Sequence, residues 1–384
     1  MLFQNALVFT SGRFTPAAFR VESGVFTAVG ALSPKTGEAV TDLGGASVIP
    51  GLIDLHTHGN SGADFSDGDY DGLVRMAAYY ARHGVTSFAP ASMTLPYETL
   101  AAAFETGARL AAEQPAGCAR LVGIHMEGPF FSAAKKGAQN EAYLKAPDWE
   151  AFAALQTGCG GLIRIVDVAP ELPGAVEFVR KARALCTVSV AHTDADYDAA
   201  RAVFDAGAHH LTHLYNAMPS IHHRRPGVIG AASENDGVCA ELICDGLHVH
   251  ESAVRMAFKL FPSRICLISD SLRCCGMPDG EYELGGQTVY LKGGVARLSD
   301  GTIAGSAANL FDCMKNAIRF GIPAAEAIEA ATLRPARQLG CDDRLGSIAP
   351  GKAADFLVCS RELELQSVYI NGEISYNKQG TQAS

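Results

Sequence analysis

Short apolar runs alternate with alanine-rich stretches from about residue 48 to residue 272, and this alternation restricts the fold more than any other feature. Strands that alternate with helical segments form a parallel sheet with helices packed on it. The segment DADYDAARAVFDAG illustrates a helix, with Asp194 as a possible N-terminal cap and Gly207 as the stop. Eight runs have the composition of strands: SVIPGLIDLHTH, GVTSFAPASM, RLVGIHMEG, LIRIVDVAPE, TVSVAHT, HHLTHLYNA, VCAELICDG and RICLISDS.

Eight strand–helix units in about 225 residues match an α/β fold of the TIM type, a (β/α)8 barrel, in both number and length. A doubly wound open sheet is the alternative. We therefore assign residues 48–344 to the barrel. Within this range, YELGGQTVYLKGGVARLSDG predicts a hairpin insertion near residues 281–300, because glycine pairs mark its turns.

The two ends of the chain have a different pattern. Residues 1–47 and 345–384 alternate and turn like short antiparallel strands. We predict that they pair into one small β-sandwich domain built from both termini.

Composition excludes several classes of function. The net charge is -10, so no basic stripe is available to neutralise the phosphates of a nucleic acid. No apolar run reaches about 18 residues and the N-terminus lacks the pattern of a signal peptide, so we expect a cytoplasmic protein without membrane contact. The eleven cysteines include no CxxC pair and are interpreted as small buried hydrophobic residues.

Potential metal ligands stand at the ends of five predicted strands. Because the carboxyl ends of barrel strands surround one pocket, these side chains are expected to converge. His56 and His58 are two residues apart and can share one face of the first strand. Imidazole and carboxylate suit zinc, iron or manganese, although each histidine alone would more often be structural. The residues are His56, His58, Glu127, His192, His213 and Asp270.

Asp270 has the features of a proton shuttle. A carboxylate beside a metal-bound water can accept its proton and pass it to a leaving group. On local grounds the residue could instead cap the turn in the segment SDS.

A second cluster follows the sixth strand. Arg224 and Arg225 lie in the segment HLYNAMPSIHHRRPGVIG, and His248 follows the seventh strand in DGLHVH. Arginine with histidine suits recognition of a phosphate or carboxylate. A solvated arginine pair is the alternative.

Several motifs together resemble the amidohydrolase superfamily, and within it the deacetylases of N-acetylamino sugar 6-phosphates. They are PGLIDLHTHG, HMEGPF, KKGAQN, AHTDADYD, THLYNAMPSIHHRRPG, ICDGLHVH, ISDSLRCCGMPDGEYELGG and GSIAPGKAADFLV, in order over nearly the whole chain. The resemblance implies metal-dependent hydrolysis of the acetamide of N-acetyl-D-glucosamine 6-phosphate to the free amine and acetate, in amino-sugar catabolism. It also implies a metal-bound hydroxide as nucleophile and a homodimer.

The resemblance also implies individual roles. Glu127, His192 and His213 would hold the main divalent ion, zinc or iron. His56 and His58 stand where some members have a second-metal pair and others have Gln and Asn, so the site would hold one or two ions. Asp270 would be the general base and then the general acid. The positions expected to bind the sugar phosphate are Ala138, Gln139, Asn216, Ala217, Arg224, His248, Ile303, Ala304 and Gly305.

Three positions depart from the family pattern. Gln139 stands where many members have a histidine that helps to polarise the acetamide carbonyl, and an amide can donate a hydrogen bond but cannot carry a proton. Arg225 replaces a frequent glutamate, and Ser271 stands where alanine is usual. The contacts that family members make around these three positions are therefore not expected to be the same in this chain.

Two other classes of function compete with this interpretation. One is a different hydrolase on the same scaffold, such as a cyclic amidase, a nucleobase deaminase or an N-acyl-amino-acid deacylase. The other is a non-catalytic sugar-phosphate sensor, which would not need a proton shuttle such as Asp270.

Overall fold

Both ends of the chain contribute to one seven-stranded sheet. The computed structural model describes residues 1–378, so residues 379–384 of the predicted terminal domain lie outside the described residues. Leu2–Thr10 pairs in parallel with Val40–Pro50, and the other pairs are antiparallel. In spatial order the strands are Glu373–Asn377, Leu365–Ile370, Phe356–Cys359, Val40–Pro50, Leu2–Thr10, Arg13–Glu22 and Val25–Gly30.

Aromatic side chains form the core of this terminal sheet. Phe3 and Phe19 stack with ring centroids 4.9 Å apart, and Phe356 packs edge-on against both. The edge strand also bonds to the segment that precedes Phe356–Cys359, since the Phe26 N–H donates to Lys352 O at 2.9 Å. The sheet therefore curls around the aromatic cluster.

The central part of the chain is mixed α/β, with buried parallel strands. One parallel sheet holds three strands and the other holds six. Nearly every residue of these strands is buried, which is expected when helices cover a parallel sheet. The strands are Leu52–Thr57, Val85–Pro90, Arg120–Leu121, Ile124–Met126, Ile163–Val168, Thr187–Val190, His210–Leu211, Cys239–Ile243 and Ile265–Ile268.

Hydrogen bonds connect the two parallel sheets on both sides. On one side the Ser92 N–H donates to His125 O at 3.0 Å. On the other side the Asp270 N–H donates to His56 O at 3.0 Å, and the His58 N–H donates to Ser271 O at 2.8 Å. The last parallel strand is thereby joined to the first, so the parallel strands curl.

Helices follow the parallel strands as the alternation predicts. Three short 3-10 helices, Phe65–Asp67, Ala133–Lys135 and Glu141–Tyr143, lie in the loops. A short ribbon of Gly59–Asn60 and Ala63–Asp64 follows the first parallel strand. The α-helices are Tyr70–Arg82, Tyr97–Glu113, Trp149–Gly158, Ala175–Ala182, Tyr197–Ala206, Gly227–Ser233, Glu251–Leu260, Leu310–Arg319, Ala324–Ala330 and Leu333–Gln338.

An antiparallel ribbon of three strands lies between the last parallel strand and the helix Leu310–Arg319. Its strands are Gly280–Leu284, Gln287–Lys292 and Val295–Leu298. The Gln287 side chain donates to Ala138 O at 2.6 Å, which ties the ribbon to the loop after the third strand. The ribbon thus lies beside the carboxyl ends of the parallel strands.

All eleven cysteines are free thiols. Within residues 1–378, no helix has both the length and the apolar character that crossing a membrane requires.

Candidate metal and substrate site

The six predicted metal-site residues meet at the carboxyl ends of the parallel strands. Each is at most 7% exposed. They belong to five strand ends, because a strand that stops at the rim directs its last side chains into the space enclosed by its neighbours. The structure therefore brings together His56, His58, Glu127, His192, His213 and Asp270.

Three ligand atoms form a compact first group. Glu127 Oε1 lies 3.2 Å from His192 Nε2 and 3.3 Å from His213 Nε2, and the two nitrogens are 3.1 Å apart. Ligands about 2.0–2.1 Å from a tetrahedral zinc ion are themselves about 3.3 Å apart. The spacing therefore fits one divalent ion with a position left for water.

The second group adds the first-strand histidines to the same carboxylate. His58 Nε2 is 3.3 Å from Glu127 Oε2 and 3.4 Å from Asp270 Oδ1. His56 Nε2 is 3.6 Å from Glu127 Oε1 and 3.7 Å from Asp270 Oδ1. Glu127 presents one oxygen to the first group and both to the second, as a bridging ligand would.

A buried nitrogen without a partner supports a cation at the second group. His56 Nε2 has no hydrogen-bond partner among residues 1–378, although the ring is fully buried. An unpaired buried polar atom is costly unless a ligand or ion satisfies it. The donor set of imidazoles and carboxylates fits zinc, iron or manganese.

Hydrogen bonds at the Nδ1 atoms fix the ring orientations of the two histidines in the first group. His192 Nδ1 donates to Lys135 O at 2.9 Å, and His213 Nδ1 donates to Asn216 O at 3.2 Å. Each proton on Nδ1 leaves the Nε2 lone pair facing Glu127. Both rings are therefore prepared as metal ligands.

The two acidic residues of the site both have lowered pKa values. Burial would raise the pKa of Glu127, but the surrounding imidazoles, above all His56 and His58, hold it well below its usual range. Burial acts in the same direction on Asp270, but the hydrogen bond from His58 and the nearby charges of His56 and His58 together outweigh it, so the pKa of Asp270 is also lowered. Asp270 is thus in the form that can accept a proton.

His125 lies directly beneath the second group but has no lone pair to offer. Its Nε2 is 3.0 Å from Asp167 Oδ1 and its Nδ1 is 3.2 Å from Leu55 O, and both partners accept only. Burial would lower the pKa of His125, but Asp167 raises it to about 9. We interpret His125 as a buried imidazolium and not as a ligand.

Gln139 contacts a metal-ligand candidate. The Thr94 N–H donates to Gln139 Oε1 at 2.7 Å, which fixes the amide orientation, and Gln139 Nε2 then donates to Glu127 Oε2 at 2.8 Å. The residue that departs from the family pattern therefore restrains the carboxylate shared by the two groups.

Ser271, the other departure near the site, ties two strand ends together. Its hydroxyl is 2.8 Å from Thr57 Oγ1 and donates to Gly59 O at 2.8 Å. An alanine would make neither contact. The hydroxyl thus connects the segment after Asp270 to the end of the strand that carries His56 and His58.

A cavity of about 210 Å³ opens directly above the two groups. Most of the predicted sugar-phosphate positions line it. Gly305 permits a close approach to Asp270, since a Cβ at Gly305 would lie 2.8 Å from Asp270 O. The predicted positions that line the cavity are Ala138, Gln139, Asn216, Ala217, His248, Ile303 and Gly305.

Two predicted substrate positions lie elsewhere. Ala304 is fully buried beside the antiparallel ribbon, where its N–H donates to Ala296 O at 3.1 Å. Arg224 lines a separate, open cavity of about 750 Å³ together with Asp196, His222 and Arg225. Within one chain the structure does not bring Arg224 to the cavity above Glu127.

His248 is held by an acidic neighbour that the sequence reasoning missed. His248 Nδ1 lies 2.7 Å from Asp245 Oδ2, and Asp245 Oδ1 accepts the His248 N–H at 2.9 Å. Burial favours the neutral imidazole, but the hydrogen bond to Asp245 and the negative charges of Asp245 and Asp270 together raise the pKa of His248. A cationic His248 suits an anionic substrate group.

Glu241 and Asp167 are further acidic residues that the sequence reasoning missed. Both are fully buried within parallel strands. Burial would raise the pKa of Glu241, but the imidazoles of His56 and His210 lower it well below its usual range. The signal that could have found them is a carboxylate inside an otherwise apolar strand, as in CAELI and IRIVDV.

Three site residues have an uncommon backbone conformation. The φ angles of His192, His213 and Asp270 are 44°, 31° and 49°. Positive φ is unfavourable for residues with a Cβ and tends to occur at functional sites. Each residue follows the end of its strand, so the left-handed turn directs its side chain into the cavity.

A family model for the amidohydrolase family matches residues 47–375. The chain belongs to the amidohydrolase family. The match covers the parallel strands and all six residues of the two ligand groups, so the resemblance inferred from the motifs is confirmed.

Relatives within this family are named for a single type of reaction. The chain is 38% identical to an N-acetylglucosamine-6-phosphate deacetylase of Bacillus subtilis (strain 168), over 86% of this chain and 84% of the relative. It is 36% identical to an N-acetylgalactosamine-6-phosphate deacetylase of Escherichia coli O157:H7, over 93% of this chain and 94% of the relative.

A solved structure shares the whole architecture. It is an aspartate-to-alanine mutant of N-acetyl-D-glucosamine-6-phosphate deacetylase from Mycobacterium smegmatis, in complex with N-acetyl-D-glucosamine-6-phosphate. The TM-score is 0.92 at 33% identity, and the match covers 98% of this chain and 99% of that one. The fold of this amidohydrolase is thus that of the solved deacetylase.

Proposed function

We propose that this amidohydrolase removes the acetyl group from N-acetyl-D-glucosamine 6-phosphate, giving glucosamine 6-phosphate and acetate. The observation that carries the proposal is the meeting of Glu127, His192 and His213 with Asp270 beneath one cavity. The names of the relatives supply the substrate class.

Glu127, His192 and His213 would hold the main divalent ion, zinc or iron, and His56, His58 and Glu127 would hold a second ion. When bound, such an ion lowers the pKa of a water molecule and polarises a carbonyl oxygen. The chain's own contribution is the fixed direction of each ligand atom.

Asp270 would move the proton. Its carboxylate is ionised and lies at the rim of the cavity, so it can take a proton from the attacking water. The same carboxyl group then delivers that proton to the nitrogen of the departing amine, which completes amide hydrolysis.

The remaining predicted positions would bind the sugar phosphate. His248 would contribute positive charge, and Asn216 with the Ala217 backbone would donate hydrogen bonds, beside Ala138, Gln139, Ile303 and Gly305. Ala304 lies behind this lining, so it would support the wall of the cavity without touching the substrate. Arg224 lies in a loop outside the cavity above Glu127. We therefore propose that Arg224 acts at the phosphate in a homodimer, where a second subunit lies nearby.

We also infer that the parallel strands form one closed (β/α)8 barrel over residues 48–344 and that residues 1–47 and 345–378 form a small β-sandwich domain. The bonds between Asp270 and His56 support closure, and the curled aromatic core around Phe3 supports the sandwich. Cytoplasmic location stays a prediction.

Acetate release tests this function. The purified protein is given the 6-phosphates of N-acetylglucosamine, N-acetylgalactosamine and N-acetylmannosamine, and N-acetylglucosamine without phosphate. We expect turnover of N-acetylglucosamine 6-phosphate and a strongly raised KM for N-acetylglucosamine, which lacks the phosphate. Preference for the galactosamine epimer would replace the named substrate, and no acetate from any of them would overturn the proposal in favour of a sensor.

A further inference from the structure

Glu241 is a buried carboxylate that takes no part in the proposed reaction. It lies in the strand Cys239–Ile243, where the other side chains are apolar or thiol, and none of its surface is exposed. Burial of a carboxylate is costly unless donors satisfy it. The donors around Glu241 therefore indicate what it does.

Three N–H groups point at the Glu241 carboxylate. Oε2 lies 2.8 Å from His56 Nδ1 and accepts the His213 N–H at 3.1 Å, and Oε1 lies 3.0 Å from His210 Nε2. The His213 backbone N–H can only donate and the carboxylate oxygens are acceptors, so we assign the two imidazole nitrogens as donors as well. Two of these donors belong to candidate metal ligands, one in each group.

The contact with His56 decides which tautomer that residue adopts. With its proton on Nδ1, His56 keeps a lone pair on Nε2. This is the nitrogen that has no hydrogen-bond partner among residues 1–378 and that lies between Glu127 and Asp270. The Glu241 carboxylate thus prepares His56 as a ligand.

Glu241 itself is not available as a ligand. His56 and the His213 N–H share Oε2, and His210 takes Oε1. The nearby His125 offers no lone pair that could complete a third ligand group with Glu241. Its effect on a cation is therefore exerted through His56 and through the main chain of His213.

We propose that Glu241 is a positioning residue for the second cation: it holds the Nε2 lone pair of His56 toward His58, Glu127 and Asp270, and it fixes this group relative to His213. The inference deepens the proposed two-ion site and rests on it. Loss of such a supporting contact typically lowers metal affinity by about 10- to 100-fold.

Metal titration of Glu241→Gln tests the inference. Metal-free wild type and variant are titrated with Zn²⁺, and bound metal is counted after dialysis. We expect two ions in the wild type, and in the variant a second ion bound about 10- to 100-fold more weakly with the first ion retained. Equal affinity for both ions in the two proteins would overturn the inference.

Asp167→Asn is the matched control. Asp167 is also a fully buried carboxylate in a parallel strand, but it contacts His125 and Thr212 and not His56. We expect this variant to keep both affinities. The same weakening in Asp167→Asn as in Glu241→Gln would mean a general effect of removing a buried charge, against the inference.

A double-mutant cycle separates positioning from packing. If Glu241 acts on the second ion through His56, adding Glu241→Gln to His56→Ala weakens that ion no further. Additive losses would contradict the inference.

A measurement on the unmodified protein covers the case in which the variants do not fold. In metal-free wild type labelled with ¹⁵N-histidine, His56 is expected as the Nδ1–H tautomer by NMR, and the Nε2–H tautomer would overturn the inference. The same preparation is then loaded with Zn²⁺, and the number of bound ions and the release of acetate are both recorded. If wild type releases acetate with only one ion bound, the role of Glu241 is overturned and the proposed function stands. If wild type binds two ions but releases no acetate, the proposed function is overturned and the role of Glu241 stands.

Discussion

Gln139 restrains Glu127 through a single hydrogen bond from a side chain that cannot change its charge. Replacement by leucine keeps the approximate volume but leaves Glu127 Oε2 without this donor and the Thr94 N–H without its acceptor. We expect Gln139→Leu to lower metal affinity by about tenfold or more and kcat with it. Metal titration and acetate release measure the two effects, and Gln139→His, which keeps a donor, is the control expected to lose less. Unchanged metal binding in Gln139→Leu would show that the bond to Glu127 does not matter.

Asp270 is expected to be indispensable for turnover. Asp270→Asn keeps the shape but cannot take a proton, so kcat should fall by about 10²- to 10⁴-fold. The first ion should stay, because Glu127, His192 and His213 are untouched. Acetate release and metal analysis of the same sample check both points; near-normal turnover would refute the assignment.

The pair of His248 and Asp245 predicts a pH dependence of substrate binding. The raised pKa of His248 keeps its ring cationic to higher pH than usual, so KM should rise as pH increases through that pKa. Asp245→Asn removes the anionic acceptor, and the rise in KM should then begin at lower pH. Steady-state kinetics between about pH 5 and 9 test this. In the control His248→Gln, the rise in KM that comes from loss of the His248 charge should be absent. The same dependence of KM on pH in wild type, Asp245→Asn and His248→Gln would argue against a cationic role for His248.

At the scale of elements, the start of the helix Tyr197–Ala206 corrects one expectation. The cap is Asp196, which accepts the Ala199 N–H at 2.9 Å, and not Asp194. Gly207 ends the helix as expected, with φ of 118°. Two acidic residues, Asp194 and Asp196, directly precede this helix in sequence, and the path of the loop decides which of them reaches the free N–H groups.

This cap predicts a difference between two neighbouring aspartates. Asp196→Ala should lower the free energy of unfolding by about 0.5–2 kcal/mol. Asp194→Ala should cost less than about 0.5 kcal/mol, because its side chain makes only a partly exposed ion pair with Lys135. Chemical denaturation of both variants checks the order, and an equal loss in both would contradict the cap assignment.

At the scale of the whole molecule, the metal groups join five strand ends, so removal of metal should loosen the whole carboxyl rim. A ligand present at about 100 times its Kd stabilises the folded state by about 2.7 kcal/mol. In a chain of this size that corresponds to a Tm lower by roughly 3 °C after chelation. Calorimetry before and after chelation, with Zn²⁺ added back as the control, measures the shift. The same Tm in both forms would speak against a bound ion.

The antiparallel ribbon, the terminal sheet and the parallel strands were all visible as patterns in the sequence, because hydrophobic period and turn residues are local properties. Their ends were less predictable. Val40–Pro50 continues the terminal sheet up to the start of the first parallel strand, and only two residues, His210–Leu211, pair as a strand in the sixth run. Which backbone groups find a partner depends on the neighbouring strand and not on the run itself.

The sequence by itself determined the alternating α/β architecture and the family, and it identified the six candidate metal ligands that meet at the rim, since strand ends and ligand types can be identified without coordinates. Only the tertiary structure decided that Gln139 faces Glu127, that Glu241 lies beneath His56, and that Arg224 lines a different cavity from His248. These contacts join residues more than ten positions apart, up to 185 between His56 and Glu241. Side-chain direction at such distances is set by how the strands curl and how loops cross the rim, which no local pattern in the sequence encodes.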